Sequence, residues 1–195
     1  GAFDEPVHSE WDWTDRLRTF NDIDVDHTRK ISENSEILLA AGRHQSLGFA
    51  QNSEYLRHNG SLKFRSQLSG TQNLTLSMNG EFGRRENGLL WRSQRHALEV
   101  NPDALGDYVD SNKLGANAFH RWIVRKQFAL NTRVSYFRNY WKNEFHDNDN
   151  ASTSNRYGIE IQGDYQFSPD HSLIFGTEES WDHVVSDLVG THDQY

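Results

Sequence analysis

The chain has 195 residues, a formal net charge of −8 and no cysteine, which leaves room for one sizeable domain and excludes a disulfide framework, a thiolate nucleophile and cysteine-ligated zinc. With a pI near 5.6 it lacks the basic face of a general nucleic-acid binder, so no nucleic-acid partner is expected. Hydrophobic residues reach only 35% although aromatics reach 12%, and no apolar run approaches the roughly 18 residues of a transmembrane helix.

In chain order, a polar, Trp-bearing stretch at 4–13 (DEPVHSEWDW, with Trp11 and Trp13) precedes a first alternating segment, where Ile23 and Val25 interleave with Asp22, Asp24 and Asp26. The tight polar turn SENS at 32–35 follows, then a longer connection at 44–55. Residues 62–82 read LKFRSQLSGTQNLTLSMNGEF: Leu62, Phe64 and Leu68 share one side going in, and Leu74, Leu76, Met78 and Phe82 share one coming out. Lys63, Arg65, Gln67, Thr75, Ser77, Asn79 and Glu81 take the other side. This period of two predicts a hairpin around SGTQN, with Gly70 supplying a backbone angle that other residues resist and Asn73 a local hydrogen bond.

After a long segment at 84–113, Leu114, Ala116, Ala118 and Trp122 alternate with Gly115, Asn117 and Arg121 up to the turn VRKQ at 124–127. Phe128, Leu130, Val134 and Tyr136 alternate with Asn131, Arg133 and Ser135 up to a polar stretch, HDNDNASTSN, at 146–155. Tyr157, Ile159, Ile161, Tyr165 and Phe167 then alternate with Glu160, Gln162, Asp164 and Gln166 before SPDHS at 168–172, and a polar tail begins near Val185. The pattern predicts about eight antiparallel strands plus a stub at the start, with short and long connections alternating. In an up-and-down sheet that sorts trimmed turns to one end and loops to the other, the asymmetry of outer-membrane barrels with short periplasmic turns and long extracellular loops. A barrel also reconciles low hydropathy with many aromatics, because only every second residue meets lipid and aromatic girdles mark the interfaces.

The run from Gly48 to Trp91, GFAQNSEYLRHNGSLKFRSQLSGTQNLTLSMNGEFGRRENGLLW, resembles the early barrel of TonB-dependent outer-membrane receptors. The runs KQFALNTRVSYFRNYWKNEF and RYGIEIQGDYQFSPDHSLIFGTEESWD are similar to the strands that follow in that family. The resemblance implies that this chain, 1–195, is the N-terminal part of an all-β, transmembrane, up-and-down barrel of about twenty-two strands, the plug domain lying outside it. It also implies outer-membrane lipid, the protein's own plug and the TonB complex as partners, in a Gram-negative cell. A scarce ligand would be taken up by gated transport: a ferric siderophore or other metal chelate, a corrinoid such as cobalamin, or an oligosaccharide or other glycan. With no initiator Met and no export signal, the chain is expected to be an internal piece of a longer protein. The alternative is a self-contained small outer-membrane barrel, or a soluble β-sandwich, acting as a binding or adhesion module.

The long segment offers Trp91, Arg92, Arg95 and His96 as an aromatic and anion-binding surface for ligand; the alternative is that Leu89, Leu90 and Trp91 pack the loop against the rim and the arginines meet neighbouring acids or lipopolysaccharide phosphates. Leu62, Phe64, Leu74, Leu76 and Met78 are expected to face lipid, and Tyr140, Trp141, Tyr157 and Trp181 the membrane interface. His146, Asp147 and Asp149 lack the spacing of a calcium loop and no His pair has the spacing of a zinc site, so no metal and no cofactor are expected. There is no nucleophile elbow, phosphate-cradling glycine loop or HExxH; the acid rows Asp22, Asp24, Asp26 and Glu178, Glu179 could pair as general acid and base, but the first set alternates as the polar face of a strand, so an enzyme is not expected.

Overall fold

The computed structural model describes residues 20–88, 91–145 and 148–194. Its strands in chain order are β1 (Asn21–Ser32), β2 (Ser35–Ser46), β3 (Tyr55–Ser69), β4 (Gln72–Glu86), β5 (Trp91–Ser93), β6 (His96–Val100), β7 (Tyr108–Arg125), β8 (Phe128–Phe145), β9 (Asn148–Ser168), β10 (His171–Ser186) and β11 (Gly190–Gln194). Nine of them form one sheet in the order β1-β2-β3-β4-β7-β8-β9-β10-β11, every neighbour antiparallel, while β5 and β6 make a separate hairpin. The fold is all-β and up-and-down. Among the described residues no helix is long and apolar enough to cross a membrane, which says nothing about crossing by strands.

Register decides which side chains share a face, because directly paired residues lie on the same side of a sheet. Leu62 pairs with Leu39 and Met78, and Met78 leads through Ala116, Tyr136 and Tyr157 to Trp181. One row nearer the tight turns run Ile37, Phe64, Leu76, Ala118, Val134 and Ile159. The other face carries Lys63, Ser77, Asn117, Ser135 and Gly158 on one row and Arg65, Thr75, Phe119, Arg133 and Glu160 on the next. Alternation in the sequence has therefore become one mainly apolar and one mainly polar surface from β2 to β9, the apolar row at Ile37 and Ile159 ending in Arg29 on β1 and Glu179 on β10. Cross-strand ion pairs knit the polar face: Arg65 with Glu36 at 3.0 Å, Lys113 with Glu81 at 3.1 Å, Arg133 with Glu160 at 3.1 Å and Arg156 with Asp182 at 2.6 Å.

Among the described residues no second layer covers the apolar face. Buried hydrophobic residues among those described are Val100, Ala104 and Ala129, whereas Met78 is 49% exposed, Val134 50% and Phe175 52%. A soluble sheet must bury such a face against another layer.

The tight turns fall where expected. Between β3 and β4, however, Gly70 does not take a positive φ, and the local bond there runs from the Thr71 amide to Ser69 Oγ at 3.2 Å while Asn73 is already in β4. At the opposite end, two expected loops are corrected. The stretch 148–155 belongs to β9, whose polar Asn, Ser and Thr residues continue the ladder with β8, and the tail from Val185 is the end of β10, a short turn and β11. Alternating polar residues satisfy a ladder as well as apolar ones do, so polarity alone misled the reading there. The expected stub at the start, the Trp11 and Trp13 stretch, Leu89, Leu90, His146 and Asp147 lie outside the described residues.

Candidate functional site

At the loop end of the sheet, the connection 47–54 and the segment between β4 and β7 are bound into one rim. The Gln51 amide donates to the Leu98 carbonyl at 2.9 Å, its side-chain oxygen accepts from the Val100 amide at 3.0 Å, and the Glu86 amide donates to the Glu54 carbonyl at 2.8 Å. Asn52 is the central fastening. It is 5% exposed with φ +57°, a left-handed conformation that Asn tolerates better than most residues. Its amide nitrogen donates to the carbonyls of Asn87 (2.8 Å), Ala104 (3.2 Å) and Asp107 (3.1 Å), and its oxygen accepts from the Gly106 amide (3.0 Å). The short 3₁₀ turn Pro102–Ala104, capped by the Asn101 side chain, is held over the sheet by these bonds.

The rim encloses a cleft of about 780 Å³ lined by Phe49, Tyr55, Arg57, Glu81, Arg85 and Trp91, among others. Tyr55, Arg57, Glu81 and Arg85 project from the polar face of β3 and β4, Tyr55 directly across from Arg85. Arg57 lies 3.9 Å from Glu81, which also holds Lys113, and Arg85 forms no ion pair among the described residues. Aromatic rings beside an unpaired guanidinium suit a solute that carries both an apolar group and a carboxylate or phosphate.

Of the four residues expected to meet ligand, Trp91 lines this cleft, from β5. Arg92 and His96 instead clasp Glu99, each at 3.0 Å, and Arg95 stands exposed at the turn of the β5–β6 hairpin. The His96 hydrogen bond, and after it the Arg92 bond, hold the Glu99 carboxyl below its ordinary value of 4.5. A depressed carboxyl contributes stability above that ordinary value and loses it as pH falls through the lowered one. Protection of the hairpin's backbone amides, measured against their intrinsic exchange rates at each pH, should therefore fall below about pH 4.5, and Glu99→Gln should remove that acid-side loss. An unchanged profile in the variant would assign it to another group.

Tyr55, Arg57 and Arg85 were not singled out from the sequence, although they occupy the polar phase of the same alternation that marks the strands. Leu62, Phe64, Leu74, Leu76 and Met78 lie together on the apolar face. Tyr140, Tyr157 and Trp181 share that face, the Tyr136 and Tyr157 rings 5.0 Å apart. Trp141 corrects the expectation: it follows Tyr140 directly, so the pleat turns it to the polar face, opposite Ser111. Glu178 and Glu179 likewise point to opposite faces and cannot act as a pair.

A second aromatic set lies near the tight turns: Trp122, Phe128, Tyr165, Phe167 and Phe175. The Phe128 and Phe175 rings stack at 6.3 Å over Gly163, where a Cβ would come within 2.7 Å of Phe175. From Tyr157 to Phe167 the chain advances ten steps of about 3.3 Å, which at the roughly 40° tilt of strands in a membrane barrel would make a band about 25 Å tall. Beyond it, at the loop end, the same face turns ionic, with Arg84 against Asp110 at 2.7 Å, Lys142 against Glu144, and His183 against Asp193 at 2.5 Å.

The apolar stretch also slips along the sheet. On β2 it centres on Leu39, whose row is the loop-side limit of the stretch on β9 and β10, at Tyr157 and Trp181. Strands tilted by about 40° and spaced about 4.8 Å apart need a shift of roughly one residue per strand to keep a belt level.

No protein-family model matches the chain, and no curated protein matches it. Among solved structures it is similar to a chain of the RagAB peptide importer in the 'closed-closed' state, with 13% sequence identity and a TM-score of 0.66. The match covers 90% of this chain and 26% of that one, so this chain spans about a quarter of the importer chain's length. At that identity the likeness is one of fold.

Proposed function

We propose that the chain is part of the wall of an outer-membrane β-barrel importer, its apolar face in lipid and its polar face toward the lumen. The observation that carries this reading is the uncovered apolar face, about as tall as a membrane's hydrocarbon belt and bounded by aromatic rings. Leu62, Phe64, Leu74, Leu76 and Met78 meet acyl chains, and Tyr140, Tyr157 and Trp181 sit at the loop-side interface. The rim cleft, with Trp91, Arg85 and Tyr55, captures a small solute that carries an apolar group and an anion. Peptides, the cargo named for the similar importer, fit that description, as do the siderophores and corrinoids of TonB-dependent receptors. In the whole protein a plug coupled to TonB gates the lumen.

The chain has no cysteine, so single introduced cysteines report topology directly. In intact cells a membrane-impermeant maleimide should label a cysteine at Gln94, on the hairpin turn, and should reach one at Gly70, in a tight turn, only after the outer membrane is permeabilised. Equal labelling of the two sites in intact cells would favour a soluble sandwich and sink the membrane reading.

A further inference from the structure

On the polar face near the rim, β1 and β2 bring together Asp22, Asp24 and His44, each with a donor atom within 4.8 Å of the others'. Asp22 pairs directly with His44, while Asp24 and Asn59 flank Gly42 from β1 and β3. The His44 side chain is 12% exposed, with Nδ1 2.5 Å from Asp22 Oδ1 and Nε2 2.9 Å from Asn59 Oδ1 and 3.5 Å from Asp24 Oδ1. A carboxylate only accepts, so Nδ1 carries a hydrogen toward Asp22, and Nε2 either carries a second hydrogen that it donates to Asn59 Oδ1 or, in the neutral ring, turns its lone pair to the Asn59 and Asp24 oxygens, where a metal ion can take that hydrogen's place.

Two ligands held 2.0–2.2 Å from one metal ion stand roughly 3 to 3.5 Å apart at octahedral or tetrahedral angles. That is the spacing between Nε2 and the two oxygens. A carboxylate on the far ring nitrogen is the usual support of a metal-ligating histidine. Gly42 keeps the space between the donors open, since a Cβ there would lie 2.1 Å from Asp24 Oδ1 and 2.6 Å from Asn59 Oδ1. Among the described residues no Lys or Arg pairs with Asp22 or Asp24, and Arg57, across from His44, turns toward Glu81.

We propose that this is a binding site for a divalent first-row transition-metal ion, with His44 Nε2, Asp24 and Asn59 as ligands and Asp22 orienting the imidazole. A mixed nitrogen and oxygen set suits zinc or a similar ion better than calcium, which takes six to eight oxygens. The positions left open face the barrel interior, where water or a donor group of a passing solute can complete the coordination.

The test is a Co²⁺ absorbance titration of the intact protein in detergent at about pH 7.5, where an ordinary imidazole is neutral, followed by displacement with Zn²⁺. One equivalent should bind. Asp22→Asn should weaken binding by about 10- to 100-fold, and Gly42→Ala, which keeps every donor but fills the space, by a similar factor. His58→Ala, on the apolar face of β3, should leave affinity unchanged; circular dichroism of each variant separates loss of the site from loss of the fold. No uptake by the parent protein would overturn the proposal. Parent-like affinity in well-folded Asp22→Asn and Gly42→Ala would overturn it equally.

Discussion

Leu76→Arg should destabilise the protein in a bilayer by about 2 to 4 kcal/mol, the range for a cation placed on the lipid face near the membrane midplane. Leu76 is 39% exposed between Phe64 and Ala118, and the acid on its row of the apolar face, Glu179, lies four strands away on β10, too far to pair with a guanidinium at 76. Asn117→Arg is the matched control, since Asn117 is exposed between Ser77 and Ser135 on the polar face. There an added guanidinium meets water and should cost well under about 1 kcal/mol, as ordinary surface substitutions do. Denaturant titration of both variants in lipid, against the parent, gives the comparison. Equal losses would mean that the two faces do not have different solvents, and the assignment of lipid to Leu62, Phe64 and Met78 would fall with it.

Asn52→Ala is expected to release the rim while sparing the sheet. The side chain satisfies three carbonyls and one amide, and both Ala104 and Asp107 are buried beside it, so water cannot readily replace those bonds. The Ala104 and Asp107 carbonyls keep the amides of Asp107 (3.3 Å) and Asn87 (2.8 Å), so the loss is that of the Asn52 bonds themselves, about 0.5 to 1.5 kcal/mol each, and partial rewetting of the loosened loop should leave a total of about 2 to 3 kcal/mol. Alanine also resists the positive φ that Asn52 adopts. Amides from 101 to 107 should then exchange about 30- to 150-fold faster, the same free energy expressed as an opening constant, with little change in the β7–β8 ladder. Asn52→Gly accepts the backbone angle but loses the bonds. It should show most of the same effect, and if it behaves like the parent, backbone strain rather than hydrogen bonding is what Asn52 manages.

The strands were legible because alternation with period two is a local signal, carried by side chains such as Leu74, Leu76 and Met78 that need no distant partner to declare their face. Face assignments failed only where adjacent residues were grouped by type, as with Tyr140 and Trp141. The polar start of β9 was read as loop because Asn150, Ser152 and Ser154 have the composition of a turn, and what makes them strand is pairing with Asn143, Trp141 and Asn139. The cleft was half legible: Trp91 stood out as a loop aromatic, whereas Tyr55 and Arg85 become neighbours only through the β3–β4 register. His44 and Asp22 meet through a pairing between two strands whose sequences hold no metal motif. Sites assembled across strands leave no spacing to read.

The strict neighbour-to-neighbour order of the sheet has a kinetic meaning. Each long strand pairs with the one before it in the chain, and β5–β6 with its rim segment is the largest detour in that order. Loop closure is cheap when partners are close in sequence, so hairpins can form and add one after another without waiting for distant contacts. On the proposed membrane reading, the hazard lies in the interval before a bilayer is reached, when Leu76, Val134 and Phe175 stand uncovered beside open strand edges and a growing sheet can pair with another copy. Refolding yield should therefore fall with protein concentration and recover when lipid is present from the first moment.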